Sequence, residues 1–386
     1  MAFAAALSEH PDLAQATGEV IGQVLEGLDP AEGPPDLALL FVTAPHRGGI
    51  ADAAQAIRAA LHPTTLVGCA AESIAGGARE VEHSPAVSLW VGHTGPVTPF
   101  HARAMVTPDG PMVTGLPEIG GDASGLVALV DPYSFAHDAL LQRLDADHPG
   151  LPVVGGLALA GRGPGSNRLV LDDQVLSEGA VGVVFGPSVA VTAVVSQGCR
   201  PIGNPLVVTR AEGSVVYELA GKPALERLGE LAEDLPEDER QLLYHGVHLG
   251  RVINEHKAEF GRGDFLIRAV MGGDPQSGAI QVGDRIELGA TTQFQVRDAE
   301  AADEDLRQLV DGQEADAVLL FTCNGRGTNL FGPTHPDHDA ALITQGLDGA
   351  PLAGMFCAGE IGPVGGHNFL HGFTASMALL TRRAER

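Results

Sequence analysis

The amino-acid sequence predicts a mixed α/β (α+β) fold, with two domains built from repeated strand-helix-strand-loop-strand units and mixed sheets with flanking helices. One reason is length, because 386 residues exceed what a single hydrophobic core usually organises. Another is that the same order of predicted elements occurs three times along the chain. The pattern also changes near residue 200, and we therefore predict an N-terminal domain over 1–200 and a C-terminal domain over 201–386.

The first copy of the unit follows a predicted helix in which apolar residues recur at helical spacing from Leu13 to Leu28. Its parts are the strand LALLFVT, the helix ADAAQAIRAAL, the strand TLVGCA, the irregular glycine-rich segment ESIAGG and the strand AVSLWVG. The second copy spans 126–195 and the third spans 317–380. The period is too irregular to indicate a solenoid, and the alternative interpretation is that any α/β protein yields such pairs.

Between the second and third copies, the sequence pattern is typical of antiparallel strands. NPLVVTRAEGSVVYELAG predicts a hairpin, a leucine-faced helix follows, and the acidic EDLPEDER predicts a solvated loop. GDFLIRAVMG, GAIQVGDRIELG and TTQFQVRD predict further antiparallel strands, and AEAADEDLRQLV predicts an amphipathic helix. Just before this region, an apolar segment at 179–195 is broken by GPS at 186–188, which predicts a hairpin in a sheet rather than a membrane span.

Composition limits the classes of function. The chain is 44% hydrophobic and has 51 glycines but only 4% aromatic residues, which is typical of a globular protein built from small side chains. A formal net charge of -26 argues against nucleic acid or an anionic membrane as a partner, because both need a positive surface. The shortage of aromatic residues disfavours nucleotide or flavin stacking.

The cysteines and the first residues indicate a cytoplasmic protein. Cys69, Cys199, Cys323 and Cys357 form no CxxC pair, so the sequence suggests neither a zinc site nor a disulfide framework. The segment MAFAAALSEHPDLAQ has no basic region before its apolar residues, so we predict no signal peptide. We expect no metal and no cofactor.

The segment CNGRG, which directly follows the predicted strand AVLLFTC, is the first candidate site. Ligand sites are common at the carboxyl ends of strands, and Gly325 and Gly327 would let backbone N–H groups face an anion. Arg326 adds a charged fork suited to carboxylate or phosphate, next to the Asn324 amide. A cation and N–H dipoles would also make Cys323 more nucleophilic. Alternatively, Cys323 is a small buried residue and the glycines only turn the chain.

The segment FCAGEIGPVGGHNFLHG is the second candidate site, and we predict a glycine-rich loop there. Glu360, which follows Gly359, could face a ligand amine or Arg326. Alternatively, it is a structural acceptor for backbone N–H groups. His367 and His371 would form a metal pair only on a helix, which the preceding glycine pair opposes.

The segment GCAAESIAGGARE is the third candidate site and contains Cys69 and Glu72. It matches neither a P-loop nor a dinucleotide fingerprint. If the repeats pair pseudo-symmetrically, this segment and the Glu360 segment could line one cleft between domains. The sequence contains no nucleophile elbow, and no residue is predicted to be catalytic.

The whole chain resembles the FIST (F-box and intracellular signal transduction) proteins. LVGCAAESIAGGAREVE, LPVVGGLALAG and YELAGKPALE resemble the FIST N-terminal domain, and FLIRAVMGGD, QFQVRD, FTCNGRG and FCAGEIGPVGGHNFLHGFTA resemble the FIST C-terminal domain. The resemblance implies a bacterial sensory or interaction module that binds small ligands such as amino acids. It adds weight to a shared site, and the full set of candidate ligand-binding residues is Cys323, Asn324, Gly325, Arg326, Gly327, Gly359, Glu360, Asn368, His371, Cys69 and Glu72.

These features predict a cytoplasmic FIST-type sensory protein that recognises a small metabolite in a cleft lined by the CNGRG and GEIGP segments. An amino acid would place its carboxylate on Arg326 and its ammonium group on Glu360, unless these two residues form an internal salt bridge. No kinase, receptor, transmembrane or F-box segment is recognisable, so we expect signalling through a separate, unidentified protein partner. Two alternatives remain open: an enzyme with Cys323 as nucleophile and His371 or Glu360 as base, and a protein-interaction scaffold without a small ligand.

Overall fold

The computed structural model describes residues 1–108 and 110–383. The strands, in chain order, are β1 (Phe3–Ser8), β2 (Leu37–Thr43), β3 (Thr65–Ala71), β4 (Ser73–Gly76), β5 (Arg79–Glu82), β6 (Val87–Gly92), β7 (Val97–Thr107), β8 (Gly110–Thr114), β9 (Gly125–Val130), β10 (Val153–Ala158), β11 (Leu169–Leu171), β12 (Gln174–Leu176), β13 (Ala180–Phe185), β14 (Val189–Gln197), β15 (Cys199–Pro201), β16 (Leu206–Glu212), β17 (Val215–Leu219), β18 (Lys222–Pro223), β19 (Val247–Val252), β20 (Phe265–Asp274), β21 (Ala279–Val282), β22 (Thr291–Arg297), β23 (Ala317–Cys323), β24 (Leu352–Val364), β25 (His367–His371) and β26 (Thr374–Arg382).

Helices accompany these strands, so the predicted mixed α/β class is confirmed. The α-helices are α1 (Leu13–Gly27), α2 (Ile50–Leu61), α3 (His137–Asp147), α4 (Ala224–Asp234), α5 (Glu237–Tyr244), α6 (Ala299–Val310), α7 (Thr328–Phe331) and α8 (His338–Gly346), and short 3₁₀ helices cover Pro30–Glu32 and Ala44–Gly49. In the part of the chain that the structure describes, no helix combines the length and the apolar character needed to cross a membrane.

The chain forms two compact units. The first contains Met1–Val195, Leu306–Leu370 and the chain from Thr374, and the second contains Ser196–Asp305 and His371–Phe373. The sequence boundary that we place near residue 200 stays a prediction.

The three predicted repeats have the same topology, and the paired strands that define each copy lie in the first unit. In each copy, the first strand pairs in parallel with the strand after the helix, as β2 does with β3, β9 with β10 and β23 with β24. The last strand of each copy then pairs antiparallel with the first, as β6, β13 and β26 do. The repeat is therefore a real structural unit.

In the first unit, two sheets pack face to face with helices on their outer faces. One sheet has the order β1-β6-β2-β3-β11-β12, and the other has the order β14-β26-β23-β24-β10-β9-β13-β7-β8 with β4, β5 and β25 attached. Alternate residues of β2 show the layering: Leu39 and Phe41 enter the core between the sheets, whereas Ala38 and Leu40 pack against α1 and α2. The outer face of the second sheet is covered by α3 and α8.

The second unit is a small barrel. Its strand order is β15-β22-β16-β17-β21-β20-β19, and β19 also pairs with β22, which closes the sheet. The predicted hairpin of β16 and β17 and the predicted strands β20, β21 and β22 are confirmed. The acidic segment EDLPEDER is not a loop, because α5 begins within it, and the acidic residues of its first turn suit the positive end of the helix dipole.

Three other predicted elements differ from the structure. The chain opens with a strand, β1, and not with a helix, because β1 is fixed by antiparallel pairing with β6. The segment at 179–195 is not a hairpin: β13 pairs with β9 and β7, whereas β14 pairs with β26. ESIAGG and GEIGP are largely strand, in β4 and β24, and not irregular loops.

Candidate functional site

The Arg326 side chain is the centre of a buried polar cluster in the first unit. The residue follows β23 and is fully buried. Its Nε and Nη2 atoms donate to Asp339 Oδ2 and Oδ1 at 2.7 and 2.8 Å, which is a bidentate ion pair. The possible ion pair between Arg326 and Glu360 is not formed. Arg326 therefore presents an ion-paired edge to the protein and keeps Nη1 for another partner.

Asp339, at the start of α8, is held by more than Arg326. Its Oδ2 also accepts a hydrogen bond from Thr322 Oγ1 at 2.7 Å, and its Oδ1 lies 3.0 Å from His338 Nδ1. Burial alone would raise the pKa of Asp339, but the charge and hydrogen bonds of Arg326 outweigh burial and hold this pKa well below its ordinary value. Asp339 is thus a fixed anion that orients the guanidinium.

The β4–β5 hairpin supplies two carboxyl groups that we did not predict as site residues. Glu80 Oε1 accepts a hydrogen bond from the backbone N–H of Ala340 at 2.8 Å. Glu82 accepts from the Thr328 backbone N–H at 2.8 Å and from its hydroxyl at 3.0 Å. Burial, and then the Asp339 carboxylate, raise the pKa of Glu80 well above its ordinary value. The available sequence signal was the alternation of charged and apolar residues in Glu80-Val81-Glu82, which is typical of a short strand.

Gly327 is needed for the approach of this hairpin to the CNGRG segment. Its φ of +53° lies in the left-handed region, and a Cβ atom there would lie 2.6 Å from Glu82 Oε1 and 2.9 Å from the Phe356 ring. Both the backbone conformation and the lack of space therefore require glycine.

Glu360 lies in the middle of β24 and is fully buried. Its Oε2 accepts hydrogen bonds from the Thr374 backbone N–H at 3.2 Å and from the Thr374 hydroxyl at 2.9 Å. Burial raises the pKa of Glu360 to about 8, although hydrogen bonds from Thr374 and Cys323 and the charge of Arg326 offset part of this effect. The carboxyl group is thus poised to gain or lose a proton near neutral pH.

Cys323 ends β23 beside Glu360. Its sulfur accepts a hydrogen bond from the Gly325 backbone N–H at 3.3 Å. Cys357 is its register partner on β24, and the Asn324 backbone N–H donates to the Cys357 carbonyl at 2.9 Å. The strand pairing therefore fixes where the thiol and the CNGRG turn sit.

Polar atoms without a hydrogen-bond partner lie around Arg326. Among the described residues, these buried atoms include Glu80 Oε2, Arg326 Nη1 and Glu360 Oε1, and Asn324 Oδ1, in the same turn as Arg326, is a further unpartnered buried atom. Both Glu80 and Glu360 are close enough to Arg326 for its charge to lower their pKa values. Buried polar groups in proteins are nearly always hydrogen-bonded, so an unpartnered set in one place points to water or to a ligand.

Other predicted site residues are held elsewhere. Asn368 Oδ1 accepts from the Val153 N–H at 2.8 Å, and its Nδ2 donates to Asp145 at 2.7 Å and to the Leu151 carbonyl at 3.0 Å. Those bonds tie β25 to the end of α3 and the start of β10. Asn368 therefore has a structural role in the first unit and shares no partner with Arg326.

The third candidate segment also lies outside the cluster. The Cys69 thiol is buried 3.2 Å from Met355 Sδ in the core between the sheets, and burial raises its pKa. The Glu72 side chain is 42% exposed and lies 3.6 Å from His83 Nδ1. Neither residue is brought to Arg326 by a contact of its side chain.

The last two predicted site residues, Gly359 and His371, have different surroundings. Gly359 is packed, because a Cβ atom there would lie 3.0 Å from the Leu370 side chain and 3.2 Å from Leu157. His371 is buried and belongs to the second unit. The first unit thus brings together Cys323, Arg326 and Glu360 of the predicted set, and Asn324 lies in the same turn as Cys323 and Arg326.

Comparison with known proteins finds relatives over nearly the whole chain. The FIST N domain model matches residues 36–222, and the FIST C domain model matches residues 224–363. Uncharacterized protein Rv0628c of Mycobacterium tuberculosis (strain ATCC 25618 / H37Rv) is 46% identical over 98% of this chain and 99% of its own length. Uncharacterized protein Mb0898c of Mycobacterium bovis is 45% identical over 96% of both chains. The C-terminal match includes the CNGRG and GEIGP segments.

Proposed function

Because this chain belongs to the FIST family, whose domains are generally sensory domains of signal transduction, we propose that it is a cytoplasmic receptor for a small metabolite. The ligand, such as an amino acid, binds in a cleft lined by the CNGRG and GEIGP segments. A separate protein partner recognises the ligand-bound state.

The observation that carries this proposal is the set of unpartnered polar atoms around Arg326. Arg326 Nη1 offers N–H donors, whereas Asn324 Oδ1, Glu80 Oε2 and Glu360 Oε1 are unpartnered oxygens. Leaving such groups buried without partners costs free energy, and a ligand that satisfies them recovers that cost as affinity.

The chemistry of these atoms suits a ligand with an acceptor at one end and donors at the other. A carboxylate fits Arg326 Nη1, because the guanidinium is always charged and Asp339 occupies only its Nε and Nη2 edge. An ammonium group fits the oxygens, and its charge would favour the ionised form of Glu360, whose pKa of about 8 lies near neutrality. An α-amino acid carries both groups.

A thermal-shift screen of the full chain against amino acids, short carboxylates, amines and nucleotides tests the proposal. A ligand at about 100 times its Kd stabilises the folded state by about 2.7 kcal/mol, so one chemical class should raise the midpoint measurably. Asn324→Ala and Glu360→Gln should remove the shift. Arg326→Ala is a less specific test, because it would leave Asp339 buried without its cation.

Glu72→Gln is the matched control, because Glu72 is an exposed carboxylate outside the cluster. It should keep the full shift. A shift that survives both Asn324→Ala and Glu360→Gln would place the ligand elsewhere and overturn the site. If no class of ligand shifts the midpoint, the receptor proposal fails and the scaffold alternative gains support.

A further inference from the structure

Cys323 differs from the other cysteines in its access to solvent. Its exposed fraction is 8%, compared with 2% for Cys199 and 0% for Cys69 and Cys357. None of these four cysteines, all of which the structure describes, forms a disulfide. Of these four residues, Cys323 therefore keeps the largest exposed fraction.

A backbone N–H donor and a cation lie near the Cys323 sulfur. The Gly325 N–H donates to the sulfur at 3.3 Å. The Arg326 guanidinium is close enough for its charge to interact with that of Cys323. Donors and cations of this kind stabilise a thiolate, which is the nucleophilic form of cysteine.

Glu360 can accept the thiol proton. Cys323 is close enough to the Glu360 carboxyl group to lower its pKa, while burial raises that pKa to about 8, close to neutral pH. A general base works best when its pKa is near the working pH and its proton donor is within hydrogen-bond reach. The Thr374 backbone and hydroxyl hold one oxygen of the same carboxyl group, which fixes its orientation.

The unpartnered atoms of Arg326 and Asn324, which belong to the same turn as Cys323, suit a carbonyl group on the reacting molecule. Arg326 Nη1 is a buried, charged donor without a partner, and it would stabilise negative charge that develops on a carbonyl oxygen. Asn324 Oδ1 is a buried acceptor without a partner in the same turn and would bind an amide N–H. These two atoms together fit an α,β-unsaturated amide.

We propose that Cys323 is a covalent modification site for small α,β-unsaturated carbonyl compounds, with Glu360 as the base and Arg326 as the donor to the carbonyl oxygen. This goes beyond the proposed function, because a receptor for a reversible ligand needs no reactive thiol. The sulfur forms a bond to the β carbon, and the double-bond electrons move onto the carbonyl oxygen. The thiol proton passes to Glu360 and then to the α carbon. The product is a thioether, and no co-reactant is needed.

Acrylamide is the probe, because it is a small α,β-unsaturated amide. The folded full chain is treated with acrylamide at a series of pH values, and peptide mapping follows each cysteine separately. Cys323 should react faster than the thiol of glutathione under the same conditions, whereas Cys69, Cys199 and Cys357 should react only after denaturation. The Cys323 rate should rise through about pH 8 as Glu360 ionises.

Glu360→Gln removes the base with little change of shape and should slow the labelling of Cys323 by about 100-fold, with loss of the rise near pH 8. Cys199→Ser, which changes a buried cysteine of the second unit, should leave the Cys323 rate unchanged. A wild-type Cys323 that reacts no faster than glutathione overturns the proposal, and this measurement needs no variant. A wild-type rate and pH profile in Glu360→Gln would overturn the role of Glu360. Neither result bears on the reversible ligands of the thermal-shift screen.

Discussion

Each unit of the molecule contains an arginine held by carboxylates, but the two arginines have different surroundings. Arg326 in the first unit is fully buried, pairs with one carboxylate and keeps an unpartnered Nη1 atom. The Arg200 side chain in the second unit is 24% exposed, and it pairs with Asp298 at 2.6 Å and with Glu239 at 2.8 Å. The same ion-pair chemistry therefore leaves an unpartnered buried donor in the first unit and a partly exposed ion-paired cluster in the second.

Water explains the difference. Around Arg200, solvent can replace any partner that is lost, so the cluster is a local connection between β15, α5 and the end of β22. Around Arg326, solvent is excluded, so every polar atom must find a partner within the protein or in a bound molecule. This comparison indicates that burial with incomplete pairing, rather than the number of charges, marks the candidate site.

Arg326→Ala should produce the largest loss of stability. It leaves Asp339 buried without a counter-ion, and removal of one partner of a buried pair costs about 3–5 kcal/mol. Urea unfolding followed by the fluorescence of Trp90, the one tryptophan of the sequence and a buried residue of β6 in the first unit, measures this loss. The double variant Arg326→Ala/Asp339→Ala should recover part of it, because no unpaired charge remains. A double variant as unstable as the sum of the singles would contradict the ion-pair explanation.

Gly327→Ala should lower the free energy of unfolding by about 2–3 kcal/mol. The left-handed backbone accounts for about 1–2 kcal/mol of this, and displacement of Glu82 accounts for the rest, because the new Cβ atom would lie 2.6 Å from its Oε1. Gly213→Ala in the second unit is the matched control, since Gly213 has a similar φ of +58° but open space around its Cβ position. Hydrogen exchange of β23 and of β17 reports the two effects separately. Equal losses of stability in Gly327→Ala and Gly213→Ala would show that the contact with Glu82 adds nothing to the cost of the substitution.

The repeats could be predicted because each copy carries its own signals: a continuous apolar strand, an alanine-rich or leucine-rich helix and a second strand. β1 could not, because alanine has a weak strand preference and the strand exists through pairing with β6. The apolar runs of 179–195 were recognised as strands, but their partners β9 and β26 are distant in sequence. Local sequence patterns thus predict that a strand exists but do not predict which strand it pairs with.

The candidate site shows the same limit. The strand end at Cys323 and the charged fork of Arg326 are local features, and the sequence indicated both. The partner of Arg326 is set by packing, and it is Asp339 of α8 rather than Glu360. Glu82 reaches Thr328 across 246 residues of sequence, because the β4–β5 hairpin pairs with β24. No spacing rule could have predicted these contacts.

The pH dependence of stability should differ between the units. Glu360 has a folded pKa of about 8, above its unfolded value, so folded chains hold its proton where unfolded chains have lost it. The contribution of Glu360 to the free energy of unfolding is present in full below about pH 4.5 and is lost as pH rises to about 8. Over this range the free energy of unfolding falls by up to about 1.4 kcal/mol per pH unit. Asp298 in the second unit has a lowered pKa and contributes in the opposite direction.

Glu360→Gln should flatten this slope in the first unit, as followed by Trp90 fluorescence in urea at several pH values. The remaining slope comes from other groups, including Glu80, whose pKa is also raised by burial. A slope that is unchanged in Glu360→Gln would mean that Glu360 titrates in the folded state as an ordinary carboxyl group.

Arg200→Ala should produce the smallest effect, a loss of about 1 kcal/mol or less. Its partners Asp298 and Glu239 keep access to water, with side chains that are 17% and 28% exposed, so neither becomes an isolated buried charge. Hydrogen exchange of β22 measures the change in the barrel, and Arg210→Ala, at a more exposed pair with Glu218, supplies a baseline. Equal losses of stability in Arg200→Ala and Arg326→Ala would contradict this comparison. Burial would then not explain the difference between the two arginines, and the unpartnered atoms around Arg326 would no longer indicate a ligand site.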